Sequence, residues 1–246
     1  MPRSTHTMIR NKTQHWTAIL AAMTFAIVTL WTGAAFADTG GGAGKSMFSA
    51  LTDSGFIGFV IVLCSVVGVS LAITFAFQIR RDVLVPPDLI DQVQALFDDE
   101  DYEEALAVSE QNPCFLSAVV SSGLERMDEG WESMNDGMIE AGEIEATRLH
   151  QKVGYLSMIA NIAPMLGLLG TVTGMIITFN KIATSPVQPK PKDLAGGISV
   201  ALGTTFLGLA IAIPMTIIFI FFRNRVVSVV AEVGQITDEM MSRFKS

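Results

Sequence analysis

Apolar residues fill three long stretches of the chain without a charge, and between the first and second they recur every three or four residues. Gly55 to Ile79 contains no Asp, Glu, Lys, Arg or His and ends at Arg80-Arg81. The segments 153–180 and 195–222 are likewise free of those residues. About 20 apolar residues suffice to cross a bilayer as a helix, so all three are predicted to span. Between the first two, Leu89, Val93, Leu96 and Phe97 fall at helical spacing. Ala105, Leu106 and Val108 follow, then Phe115, Leu116, Val119 and Val120, which predicts amphipathic helices with one buried face. Val85-Pro86-Pro87-Asp88 ends one helix and starts another, with Asp88 near the new N-terminus. Asn112-Pro113 marks a further boundary. No strand is indicated. The expected fold is an all-α membrane protein, with three transmembrane helices in the mature chain and a helical cytoplasmic domain between the first and second.

Residues 1–37 read as a cleavable signal peptide. Arg3, Arg10 and Lys12 precede the apolar run Thr17 to Trp31, and Ala35-Phe36-Ala37 is a small-residue cleavage site. An uncleaved first membrane helix is the rival reading. Residues 38–54 then form a periplasmic N-terminal segment, Gly-rich at its start. Span 1 is 55–79, and Arg80-Arg81 puts its end in the cytoplasm. The helical domain is 80–152, span 2 is 153–180, and a Pro-containing periplasmic loop is 181–194. Span 3 is 195–222, and 223–246 is a cytoplasmic C-terminal helix. The apolar run from Leu194 to Phe222 measures roughly 43 Å as a helix, longer than a bilayer core. Val226, Val229, Val230 and Val233 carry its stripe onward.

Charge narrows the function. Half of the 246 residues are hydrophobic, and the net charge is −8. Between Arg80 and Gly154 stand 18 acidic and 5 basic residues. Such a surface is unsuited to nucleic acid, whose phosphates need Lys and Arg. The acidic run Asp98-Asp99-Glu100-Asp101 lacks the ligand alternation and Gly of a calcium loop, and reads as a solvated helix connection. No metal site or cofactor is expected. Cys64 and Cys114 do not suggest a disulfide framework. Cys114, after Asn112-Pro113, reads as a helix-start residue rather than a reactive thiol. His150, beside Arg148 and Lys152, reads as interfacial, with proton uptake as the sharper alternative.

The second and third spans carry small and hydroxyl residues at helical spacing. Ala163, Gly167 and Thr171 lie four apart, as do Gly170, Gly174 and Thr178. So do Gly197, Ala201 and Thr205, and Ser199 and Gly203; Gly208 extends the small residues of span 3. Such rows let helices approach closely. Thr171, Thr173, Ser199, Thr204 and Thr205 also place hydroxyls at middle depth. Each could bond back to its own helix and be chemically silent. Together they could line a narrow polar path or meet a polar group on another helix. Pro164 and Pro214 each remove an intrahelical hydrogen bond and are expected to kink their helices. Intramembrane ion paths ordinarily use an ionisable residue. None lies in these spans, so either the chain conducts nothing or another polypeptide supplies the titratable group.

The run Ala163-Pro164-x-Leu166-Gly167-Leu-Leu-Gly170-Thr171-Val-x-Gly174-Met175-Ile-x-x-Phe179 resembles the second-helix motif of the MotA/TolQ/ExbB proton-channel family. Gly197-Ile198-Ser199-x-Ala201-Leu202-x-x-Thr205-x-x-Gly208-Leu209-x-x-Ala212-Ile213-Pro214 resembles its third-helix motif. Asp101-Tyr102-Glu103-Glu104-Ala105-Leu106 resembles the cytoplasmic domain of the ExbB branch. The resemblance runs from about Gly55 to the C-terminus. It implies a homo-oligomer, a pentamer in the family, around single helices of an ExbD/TolR-like partner that carries one membrane Asp. Proton flow would then drive a TonB-like or TolA-like effector for energised outer-membrane transport from the bacterial inner membrane. Thr171 and Thr205 match the family's pore threonines and would face that Asp. Val200 departs from the pattern: family members commonly have Glu there, which leaves sodium open beside the proton. The chain is not expected to be an enzyme. The rival readings are a non-conducting assembly subunit and an ABC-transporter permease subunit.

Overall fold

The computed structural model describes residues 55–186 and 191–244. The expected signal peptide, the N-terminal periplasmic segment and the middle of the 181–194 loop lie outside the described residues. Among those described, every regular element is helical. In chain order they are α1 (Gly55–Gln78), α2 (Arg81–Leu84), α3 (Pro87–Asp98), α4 (Tyr102–Gln111) and α5 (Phe115–Leu124), then α6 (Trp131–Thr184) and α7 (Pro191–Met241). Short 3-10 turns occupy Met127–Glu129 and Ser242–Phe244. The protein is all-α, with three helices long and apolar enough to cross a membrane: α1, α6 and α7.

Helix boundaries follow local chemistry. Pro87 opens α3 at a position where a missing N–H costs nothing, and Asp88 sits in its first turn. The acidic run is a helix connection. Glu100 adopts a left-handed φ of 60° just past α3, and the Asp101 N–H reaches back to the Leu96 carbonyl at 2.9 Å, closing the helix end. Asp101 then caps α4, accepting from the Glu104 N–H at 3.1 Å. Cys114 is the N-cap of α5. Its Sγ accepts from the Ser117 N–H, and the Ser117 hydroxyl oxygen accepts from the Cys114 N–H.

α6 is a single helix of 54 residues and α7 one of 51. At 1.5 Å per residue each is roughly 75–80 Å long, more than twice a hydrocarbon core. Pro164 and Pro214 both lie inside these helices, and neither ends its helix. The described residues divide into two compact units, one holding 55–59 and the described part of Gly170–Thr204, the other Val60–Leu169 and 205–244.

The second unit holds most of the buried side chains. Leu89, Val93 and Phe97 are buried on α3, Ala105 and Ser109 on α4, and Phe115, Leu116, Val119 and Val120 on α5. Val226, Val229 and Val233 of α7 are buried as well, the stripe expected from their spacing. Each fully buried side chain of this size contributes about 1.5–3 kcal/mol relative to exposure in water. α1 joins through Gly68, whose missing Cβ makes room for the Met215 and Ile159 side chains, and through an edge-to-face contact of Phe75 with Phe222. At the far end Phe244 stacks against Phe97 and Tyr102, with centroids 6.2 and 5.2 Å away.

One ion pair ties distant parts of this unit. Arg81, just beyond α1, reaches Glu232 of α7, with Nε and one terminal nitrogen on the same oxygen at 2.7 and 2.6 Å. This hydrogen bond raises the Arg81 guanidinium above its ordinary range, against an opposing cost of partial burial. Both side chains remain about 30% exposed, so solvent screens the pair. A double-mutant cycle of Arg81→Ala and Glu232→Ala, read by unfolding in detergent, should give a coupling of about 0.5–1 kcal/mol. Strict additivity of the two changes would show that the pair adds nothing.

Candidate functional site

The small residues of α6 and α7 are placed against each other. In the first unit, an added Cβ at Gly174 would lie 2.9 Å from the Ala201 Cβ. One at Gly170 would overlap the Thr204 hydroxyl and Cβ, and one at Gly197 would overlap the Thr178 hydroxyl. In the second unit, a Cβ at Gly208 would stand 2.5 Å from the Ala163 carbonyl oxygen and 3.2 Å from the Gly167 Cα. Helices in hydrocarbon gain little from hydrophobic burial against each other, so close van der Waals approach of this kind supplies their association.

The hydroxyls divide by environment. Thr178 is buried and donates to the Gly174 carbonyl of its own helix at 2.8 Å. Thr204 is 2% exposed and donates to the Ala201 carbonyl at 2.7 Å. Both satisfy themselves by back-bonding. Thr205 behaves differently: it is half-buried, and its hydroxyl donates across to the Gly167 carbonyl of α6 at 3.1 Å. Thr171, Thr173 and Val200 are half-buried, and Ser199 is exposed on its helix. Thus Thr204 belongs to the packed seam, Thr205 bridges two helices, and Ser199 points away from its own chain. Pro164 and Pro214 are half-buried within their helices.

The wider constellation contains no candidate metal cluster among the described residues. Cys64 and Cys114 are free and half-buried. His150 is exposed. Two features escaped the sequence reading. The Arg81–Glu232 pair joins residues 151 apart and leaves no local pattern. Asn161, a carboxamide inside a charge-free run, is exposed and donates to the Ser157 hydroxyl of the same helix. Its signal was available: it stands four residues after a serine, in a span where amides are costly.

These features define a class: a polytopic α-helical membrane protein whose second and third spans are joined by small residues and one interhelical hydroxyl. Comparison with known proteins gives the family. A sequence model of the MotA/TolQ/ExbB proton channel family matches residues 111–235. The chain belongs to that family. It is 30% identical over 173 residues to a biopolymer transport protein ExbB homologue of Methanothermobacter thermautotrophicus, an alignment covering 70% of this chain and 61% of that protein. It is 37% identical over 78 residues to the biopolymer transport protein ExbB of Aquifex aeolicus, covering 32% and 52%. These relatives are consistent with the ExbB-like branch, and the chain spans between half and two thirds of their lengths. A chain in the structure of the flagellar MotAB stator complex from Bacillus subtilis aligns with TM-score 0.53 and 22% identity, covering 90% of this chain and 86% of that one. That likeness establishes a shared fold.

The seam makes a direct prediction. Gly208→Ala pushes a methyl onto a backbone oxygen that cannot rotate away, and should cost about 1–3 kcal/mol. Gly234→Ala, on the same helix with nothing within 4 Å of the new methyl, should be neutral or stabilising by up to about 1 kcal/mol. Thermal unfolding of both variants in one detergent checks the contrast; equal effects would remove close packing as the role of Gly208.

Proposed function

We propose that the chain is the ExbB-like, ring-forming subunit of a proton channel in the bacterial inner membrane, and that it turns the proton gradient into mechanical work. The observation that carries this reading is the composition of the three spans: hydroxyls and small residues, with no Asp, Glu, Lys, Arg or His. A proton relay needs a titratable group, and here it has to come from another chain. In this reading copies of the chain surround the single helices of an ExbD/TolR-like partner that carries a membrane Asp. Desolvation raises the pKa of such an Asp, so that it can load a proton on one side and release it on the other. Thr171 and Thr205 serve it with hydroxyls, and Ser199 and Thr204 lie on the same third span. The mature N-terminus is periplasmic and the C-terminus cytoplasmic. The output is motion of a TonB-like effector in energised transport across the outer membrane. No covalent chemistry is involved, so the chain is not an enzyme.

Thr205 donates to the Gly167 carbonyl of α6, which supports a fixed position for its hydroxyl in this reading. A threonine hydroxyl can both donate and accept, which supports a role for Thr205 beside a protonated acid or water. Val200 stands where the family commonly has Glu, which leaves the partner's Asp as the acid at that depth.

The test is flux through the complex purified with its natural partner and reconstituted in liposomes. A proton gradient should collapse through the complex without ATP. Thr171→Val and Thr205→Val keep shape and remove a hydroxyl, and each should lower the flux by at least about tenfold, equivalent to about 1.4 kcal/mol in the barrier. The oligomer should survive, because an interhelical hydrogen bond in a membrane is worth only about 0.6 kcal/mol on average. Wild-type flux in both variants would sink the pore assignment. Flux that follows a sodium gradient instead would change the ion, and ATP-dependent transport would favour a permease.

A further inference from the structure

We propose that the pocket where the end of α1 meets α5 and α6 holds the headgroup of a zwitterionic glycerophospholipid, with its phosphate toward Lys152 and its ammonium toward Glu110. This goes beyond the proposed function: it needs the spans to lie in a bilayer and does not need protons to pass.

Depth comes first. Gln78 and Ile79 line the pocket from the end of the first charge-free run, and Lys152 lines it from the residue just before the second. The pocket therefore lies level with one boundary of both spans, where lipid headgroups sit. Its whole lining belongs to Val60–Leu169, within one compact unit. The cavity measures about 580 Å³, in the range of pockets that hold small ligands.

Charge selects the occupant. Four charged side chains line the cavity: Glu110, Glu145, Arg148 and Lys152. Glu145 and Arg148, one turn apart on α6, pair with each other, which neutralises both. The side chains of Glu110, near the end of α4, and Lys152 have no ion-pair partner among the described residues. The site thus presents one uncompensated anion and one uncompensated cation, both exposed. A purely anionic headgroup would satisfy Lys152 and be repelled by Glu110. A phosphate joined to an amine carries one charge of each sign and suits both. A primary ammonium also donates N–H bonds to a carboxylate, which a quaternary amine cannot do. The chemistry is that of phosphoethanolamine. The serines of the lining do not compete for this choice: Ser109, Ser117 and Ser121 each donate to a backbone carbonyl of their own segment.

The walls fit the rest of a lipid. Ile79, Leu84, Phe115 and Leu149 make part of the lining apolar, and Val83, in the same wall, is 51% exposed. Phe77, beside Gln78, and Tyr155, one turn into the span from Lys152, are both more than half exposed. Aromatic rings at that level belong to the interface between headgroups and hydrocarbon. A free phosphate compound gains nothing from these surfaces. A lipid held by its headgroup covers them with its glycerol and the start of its chains, and removes apolar area from water.

Native mass spectrometry of the purified full-length protein with whatever copurifies, stripped of lipid and titrated with dioleoyl lipids, tests this. Phosphatidylethanolamine should add in discrete steps and bind more tightly than phosphatidylglycerol or phosphatidylcholine. Lys152→Gln should weaken it by roughly 3- to 5-fold, the size expected of a partly solvated ion pair. Glu110→Gln should abolish the preference over phosphatidylglycerol, and Glu110→Lys should reverse it. Both side chains are exposed, so the variants should keep the wild-type melting temperature and oligomer mass. Should Lys152→Gln fail to fold, the two Glu110 variants decide the question by themselves. Excess soluble phosphoethanolamine should displace no lipid. Equal affinity for the three lipids, or a preference unmoved by the changes at Lys152 and Glu110, would mean ordinary boundary lipid and overturn the proposal. Displacement by soluble phosphoethanolamine would overturn it as well and assign the pocket to a free phosphate compound. The readout is lipid mass, so a complex that passes no protons sinks the channel and leaves this site standing.

Discussion

Hydrocarbon offers no hydrogen bonds, and the membrane part of this protein is arranged around that constraint. Every backbone polar group in the spans has to be satisfied by a helix, and every side-chain hydroxyl has to find a carbonyl or another chain. Thr178 and Thr204 answer by bonding to their own helices. Thr205 answers by reaching the Gly167 carbonyl of the neighbouring helix. Such a reach requires the two backbones to be close, and the glycines opposite Thr178, Thr204, Ala201 and Ala163 make them close. Packing and hydrogen bonding meet at one place: Gly208 lies against the Gly167 Cα, and Thr205 of the same helix reaches the Gly167 carbonyl.

The same constraint bears on function. The chain belongs to a proton-channel family, and its spans carry no ionisable side chain. The proposed reading therefore takes the titratable acid from a second polypeptide. Outside the membrane the logic is different. There the long helices α6 and α7 continue as ordinary amphipathic helices, their apolar stripes buried with those of α3 to α5, and an Arg81–Glu232 pair braces the exit of the first span.

Much of the architecture was legible beforehand. Three charge-free runs could only be spans. The Pro86-Pro87 and Asn112-Pro113 breaks set helix starts, and the valine stripe beyond Phe222 is buried as its spacing requires. Proline inside a span does not end its helix here. Pro164 and Pro214 sit within continuous helices, because a missing N–H in one turn is tolerable when the turns on either side keep their bonds. The expected loop between spans 2 and 3 is shorter than its composition suggested, since α6 continues through Lys181 to Thr184 and α7 begins at Pro191.

What the sequence alone determined was the class of each residue's environment: spans, amphipathic helices, a charge-free middle, and the family to which these motifs belong. Those follow from composition and period, which act over a few neighbours. What only the tertiary structure decided was which hydroxyl does what. Thr204 and Thr205 are adjacent and chemically identical, yet one closes on its own helix and the other crosses to Gly167. The difference is about 100° of rotation around a helix, and it acquires meaning only when a second helix is present on one side. Asn161 is the same lesson from the other side. Its residue type was visible from the start, but its exposure appears only once the rest of the chain has folded away from it.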